Sequence, residues 1–107
     1  MVLLHTPPGE LGAPAAVFTL PGVDGRDHSL GDYAASRALL VMFLCNHCPY
    51  VIAIQQRLIA LANEMIPQGA AIVAINSNDA VGYPDDNFAS MQRVARELNY
   101  PFDYLFD

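Results

Sequence analysis

A chain of 107 residues holds one small domain; its 53% hydrophobic content supplies a core, and its 15% charged content argues against disorder. Its net charge of -6 and its five scattered Lys and Arg exclude a nucleic-acid surface, which needs clustered cations, and read instead as solubility. The opening MVLLHTPPGE lacks a basic segment ahead of an apolar run, and no apolar stretch reaches about 20 residues, so no secretory signal or membrane span is expected and the expected compartment is the cytoplasm.

In chain order, residues 1–16 carry His5, Pro7, Pro8 and Pro14 and predict an extended lead-in. The domain proper is expected over residues 17–107. Val17 to Leu20 predicts a short strand ended by Pro21-Gly22. Val23 to Arg26 supplies turn residues, and Asp27 to Leu30 returns as the second arm of a hairpin. Leu30 to Ala35 predicts one helical turn. Ala38 to Leu44 is seven apolar residues in a row, which predicts a strand buried on both faces.

From Pro49 the period changes. Val51, Ile54, Leu58, Leu61 and Met65 recur at spacings of three and four, one face of an amphipathic helix that Pro67 and Gly69 end. Pro49 suits the first turn, where its missing N–H costs nothing. Ala70 to Ile75 predicts a second buried strand, and Asn76 to Asp79 a polar loop. Tyr83 to Asp86 supplies helix-start chemistry, Met91, Val94, Ala95 and Leu98 mark a second amphipathic helix, and Phe102 to Phe106 a last strand. Hairpin, strand, helix, strand, helix, strand predicts an α/β fold with a parallel sheet.

The chemistry-bearing segment is Cys45-Asn46-His47-Cys48, between a buried strand and a helix. Chemistry in open α/β sheets gathers at the C-terminal ends of strands. A reducing cytoplasm disfavours a structural disulfide, and a link across so short a loop would constrain little of the unfolded chain. A helix start stabilises a thiolate through its free N–H groups and dipole, and Cys-X-X-Cys there commonly has its first thiol acidified. Cys45 is thus expected to attack a disulfide from the exposed helix edge, and Cys48, one turn in, to resolve it. Protonated His47 would stabilise the thiolate and make the couple more oxidising.

A zinc site could recruit only His47, His28 and His5 beside the cysteines, and no second such pair exists, so neither a metal nor a cofactor is expected. An inert core pair is the other bland reading. His28 reads as a hairpin surface residue. Asp79, Asp85 and Asp86 read as helix-capping residues rather than a cation site. Tyr50 and Phe43 flank the motif and could shape a groove, although both side chains are more often core, and Met42, Met65 and Met91 read as packing.

The blocks LVMFLCNHCPYV, AIVAINSND, YPDDNFASMQ and YPFDYLFD, with GAPAAVFTLPGVDGRDHSL before them, closely resemble a bacterial group of thioredoxin-like proteins. That group belongs to the redoxin superfamily, related to alkyl-hydroperoxide reductase and thiol-specific antioxidant proteins (AhpC/TSA). The resemblance runs from about Gly12 to Asp107 and implies a thioredoxin-like fold with a redox site at Cys45 and Cys48, in which Asn46, His47 and Pro49 tune the pair. Family members usually carry a basic residue soon after the motif; here no charge follows until Arg57. The family pattern also continues with a helix, a cis-proline loop, two antiparallel strands and a last helix, so the chain reads as C-terminally incomplete. An oligomer is then expected to cover the unpaired edge of the motif-bearing strand.

The expected function is thiol–disulfide exchange on protein or small-molecule disulfides and thiols, with no nucleic-acid or membrane partner. Two alternatives stand beside it. One is a thiol-dependent peroxidase, although Val41 to Leu44 lacks the upstream Pro and Thr or Ser such a site usually carries. The other is a non-catalytic thioredoxin-like binding domain.

Overall fold

The computed structural model describes residues 7–107. Residues 1–6, with His5 and the first part of the expected lead-in, lie outside the described residues. Strand β1 (Thr19–Pro21) pairs antiparallel with β2 (Asp27–Ser29), placing Leu20 opposite His28, and the turn between them uses Gly25 at φ 84°. The first arm thus starts two residues later than the pattern Val17 to Leu20 suggested, and Val17 is exposed. Pro21 is tolerated in it because a two-stranded hairpin leaves one side of each strand without ladder bonds. The turn after β2 is a short 3-10 helix, Leu30–Tyr33, closed by the Ser29 N–H donating to Asp32 Oδ2 at 2.9 Å.

The main sheet contains β3 (Ala38–Phe43), β4 (Ala70–Asn76) and β5 (Asp103–Phe106), ordered β3-β4-β5 and parallel throughout. Helix α1 (Pro49–Met65) connects the first pair and α2 (Phe88–Glu97) the second. Pro49 occupies the first turn of α1, as its chemistry requires, and Gly69 stops the chain at φ 102° just after Pro67. The alternation of β4 sorts the core into two sides. Ile72 and Ala74 pack with Ala62 of α1, Met91 of α2, Phe102 and Tyr104. Val73 and Ile75 pack with Leu105, under Phe18 and Leu20 of the hairpin region. Helices therefore cover one face of the sheet and the hairpin region covers the other.

Two expectations need correction. The run Ala38 to Leu44 was expected to be buried on both faces, but β3 is an edge strand on which Leu40, Val41 and Phe43 are exposed. Phe43 and Val41 instead border an open groove of about 600 Å³ that Val17, Phe18 and Ile75 also line. An unbroken apolar run states that both sides of a strand are greasy, not that both sides are covered. On α1, Ile54, Leu61 and Met65 are likewise exposed; the packed side runs through half-buried Val51 and Leu58 and buried Ala62, and on to half-buried Ile66 just past the helix.

Burial ranks the consequences of truncation. Met91 is wholly enclosed, so Met91→Ala should cost about 2–5 kcal/mol of unfolding free energy in a denaturant titration. Phe43→Ala should cost under about 1 kcal/mol, because that ring is 68% exposed.

Candidate active site

The backbone leaves β3 at Phe43, the Leu44 N–H still bonds the Ile75 carbonyl at 3.0 Å, and the next four residues turn the chain into α1. Cys45 and Cys48 are both free thiols and both half-buried. Cys48 is the N-cap residue of α1 and its carbonyl accepts from the Ile52 N–H at 3.0 Å. It therefore begins the helix rather than lying one turn in.

This placement sets the two thiols in different surroundings. Burial is the main influence on Cys45 and pushes its thiol up; the N–H groups of Cys48 and His47 pull it back, and the charges of Asp86 and Cys48 push it up again. Cys48 is lowered, chiefly by the free N–H groups of Val51 and Tyr50 in the first helical turn, with help from the Cys45 thiol. The first thiol was the one expected to be acidified; the helix's free donors act on the second. The residue at the cap receives the helix's free donors, and Cys45 faces a buried carboxylate.

That carboxylate is Asp86, which follows Pro84 and Asp85 in a 3-10 turn before α2 and is 0% exposed. Its Oδ1 accepts from the Asn46 N–H at 2.6 Å and from Asn76 Nδ2 at 3.0 Å, and its Oδ2 accepts from Asn78 Nδ2 at 3.0 Å. His47 Nδ1 lies 2.6 Å from Oδ2 but off the line of a hydrogen bond, so the contact is electrostatic. Burial alone would raise this carboxyl; the three N–H donors and His47 outweigh it and hold it below its ordinary value of 3.8. The His47 ring also stacks on Tyr83, with centroids 5.2 Å apart.

Asn46 completes the attachment. Its Nδ2 donates to the Asp85 carbonyl at 2.7 Å, and its Oδ1 accepts from the Tyr104 hydroxyl at 2.8 Å. Asn76, wholly buried at the end of β4, also donates to Tyr104 Oη at 3.3 Å. The motif loop is thus fastened from behind by the β4–α2 connection and by β5.

Two readings of the polar residues change accordingly. Asn76 ends a strand instead of opening a loop. Asp86 does not cap α2; that task falls to Asn87, whose side chain accepts from the Ser90 N–H at 2.8 Å. The signal available in the sequence was an Asn closing an apolar strand ten residues before an acid, which only burial makes meaningful. Tyr50, expected more often as core, is 72% exposed beside the motif.

A metal could draw on Cys45, His47 and Asp86, which each bring one donor atom within 4.8 Å of the others. Asp86 already has both oxygens occupied by Asn46, Asn76, Asn78 and His47. The second such group, Asp24, His28 and Asp103, is a structural clamp. His28 Nε2 lies 3.0 Å from Asp24, its Nδ1 lies 3.6 Å from Asp103, and the Tyr33 hydroxyl donates to Asp103 at 2.8 Å. His28 is thereby packed between hairpin and β5 rather than lying free on the surface.

A helix-backed parallel sheet, with a cysteine pair where its edge strand passes into a helix, defines a thioredoxin-like fold. The AhpC/TSA family model matches residues 11–107, and the chain belongs to that family. It is similar to a hypothetical protein from Sinorhizobium meliloti 1021 (39% identity, TM-score 0.91, covering 94% of this chain and 55% of that one). It is similar also to an uncharacterized conserved protein from Geobacillus kaustophilus (49% identity, TM-score 0.88, covering 92% and 52%). A thiol:disulfide interchange protein of the thioredoxin family from Chlorobium tepidum TLS shares the fold at 15% identity (TM-score 0.74, covering 94% and 63%). The chain spans about half the length of the first two. No curated protein matches it. No helix among the described residues is long and apolar enough to cross a membrane.

The buried carboxylate has a pH signature. A carboxyl whose folded value is depressed contributes stability above its unfolded value, and loses it as the pH falls through the folded value. Asp86→Asn should therefore cost about 1–3 kcal/mol at neutral pH. That gap should narrow below the ordinary value of 3.8 in denaturant titrations across acid pH. Asp24, held low against burial by His28 and the Arg26 N–H, keeps part of the acid limb in the variant.

Proposed function

We propose that the chain carries a thiol–disulfide oxidoreductase site whose dithiol/disulfide couple is Cys45 and Cys48. The observation that supports this most is the pairing of two half-buried free thiols at the cap of α1, with one of them acidified by the helix's own N–H groups. Membership of the AhpC/TSA family agrees with redox chemistry at cysteine. Thiols and disulfides, of proteins or small molecules, are the corresponding substrate class.

The N–H groups of the first helical turn favour negative charge on Cys48, while burial holds the proton on Cys45. Passing that proton to Cys48 makes Cys45 the thiolate. Cys45 then attacks a substrate disulfide and expels one substrate sulfur as a thiolate, which takes up a proton. Cys48, losing its proton, attacks the mixed disulfide and releases the second substrate thiol. The substrate gains two electrons, and the protein is left with a Cys45–Cys48 disulfide that a dithiol reductant must reopen. Run in reverse, the same steps oxidise a dithiol.

Equilibration across glutathione ratios, followed by alkylation and mass measurement, should show one disulfide forming at one defined potential. A value near about -270 mV would mark a reductant and a much higher one an oxidant. In Cys48→Ser the mixed disulfide should accumulate on Cys45, whereas accumulation on Cys48 in Cys45→Ser instead would assign the attack to the other sulfur. A pair that never closes would remove this reading.

A further inference from the structure

Asp86 lies 41 residues from Cys45 in sequence yet brings a carboxylate oxygen within 4.8 Å of both that sulfur and the His47 ring. It is the one wholly buried acid among the described residues, and none of its side-chain bonds is made to α2, from which Asn87 alone separates it in the chain. Three N–H donors keep it charged where it sits, and two of them, Asn76 and Asn78, come from the end of β4 and the loop after it. The third is the backbone of Asn46, inside the cysteine motif. A fixed negative charge has thus been placed behind the dithiol by the fold, not by the local sequence.

We infer that Asp86 is a positioning residue of the dithiol: it grips the Cys45–Cys48 connection through the Asn46 N–H, draws the His47 imidazole to itself, and thereby restrains the reactivity of Cys45. The inference rests on the dithiol reading above and adds to it a charged group that, beside burial, restrains Cys45.

The geometry assigns the two halves of His47 different tasks. Its ring lies 2.6 Å from Asp86 and stacks on Tyr83, so its positive charge, when present, is spent on the carboxylate. Its backbone N–H is the part that favours a Cys45 thiolate. A histidine inside a Cys-X-X-Cys motif stabilises a thiolate only if its charge is free to do so. Here the ring faces the carboxylate instead, and that same carboxylate stands near the sulfur. Cys45 accordingly has Cys48 near it from the start of α1, His47 from the motif and Asp86 from the β4–α2 connection, with the phenols of Tyr100 and Tyr104 within its electrostatic reach. Among these, Asp86 is the carboxylate.

The test is the pH profile of alkylation by iodoacetamide, with the modified sulfur identified by fragmentation of the peptide from Ala38 to Arg57. In Asp86→Asn, Cys45 should alkylate about tenfold faster at neutral pH, with its midpoint about one pH unit lower, as expected when a neighbouring negative charge is removed. His47→Gln should change the Cys45 rate by less than about threefold, because the ring serves the carboxylate and not the sulfur. His47 is only partly buried, so this second variant decides the matter if Asp86→Asn does not fold. A Cys45 rate in folded Asp86→Asn within twofold of the unaltered protein, or a tenfold loss in His47→Gln, overturns the inference. Alkylation reads Asp86 whether or not the disulfide closes. A pair that never closes in the glutathione titration therefore sinks the dithiol reading separately from a flat alkylation result.

Discussion

A buried carboxylate that must find partners is the constraint from which the geometry of this site follows. Asp86 is 0% exposed and carries a charge whose removal from water is costly unless nearly every lone pair is met. The donors come from three places: Asn46 in the motif, Asn76 at the end of β4 and Asn78 just beyond it. Meeting that demand forces the β4–α2 connection to lie against the β3–α1 connection. The cysteine loop is held in place because something else needs its N–H.

The parallel sheet makes this convergence available. Both connections leave the C-terminal end of the sheet, since β3 and β4 run in the same direction in register, Phe43 beside Ile75. The two strand ends are therefore neighbours, although 32 positions separate Phe43 from Ile75 in sequence. Tyr104, on the adjacent β5, reaches the same spot and links Asn46 to Asn76 through its hydroxyl. The enclosed phenol thus hydrogen-bonds both amides, and the three polar groups form one connected network.

The two thiols differ because they occupy different fields. Cys48 takes the N–H groups of the first turn of α1, while Cys45 takes the burial and the carboxylate. The motif alone does not separate these effects, since each needs a neighbour outside it. The same holds for the edge strand. The run Ala38 to Leu44 reads as core from composition, but among the described residues β4 alone pairs with β3, and Phe43 is 68% exposed.

Much of the architecture was legible in the chain because it is locally encoded. Period-two and period-3.6 patterns, Pro49 at a helix start and Gly69 past a helix end each act within a few residues, and they gave the order of strands and helices and the place of the cysteine pair. The identities of Asn76 and Asp86 carried no such signal: an Asn after AAIVAI and an Asp after Pro-Asp read as loop and cap until the fold buries them. The sequence by itself determined which elements form and that two thiols stand where a strand becomes a helix. The tertiary structure alone decided which thiol is acidified, what His47 faces and which charge stands behind the pair, because electrostatic and desolvation effects depend on distances in space that residues 40 positions apart do not reveal in the chain.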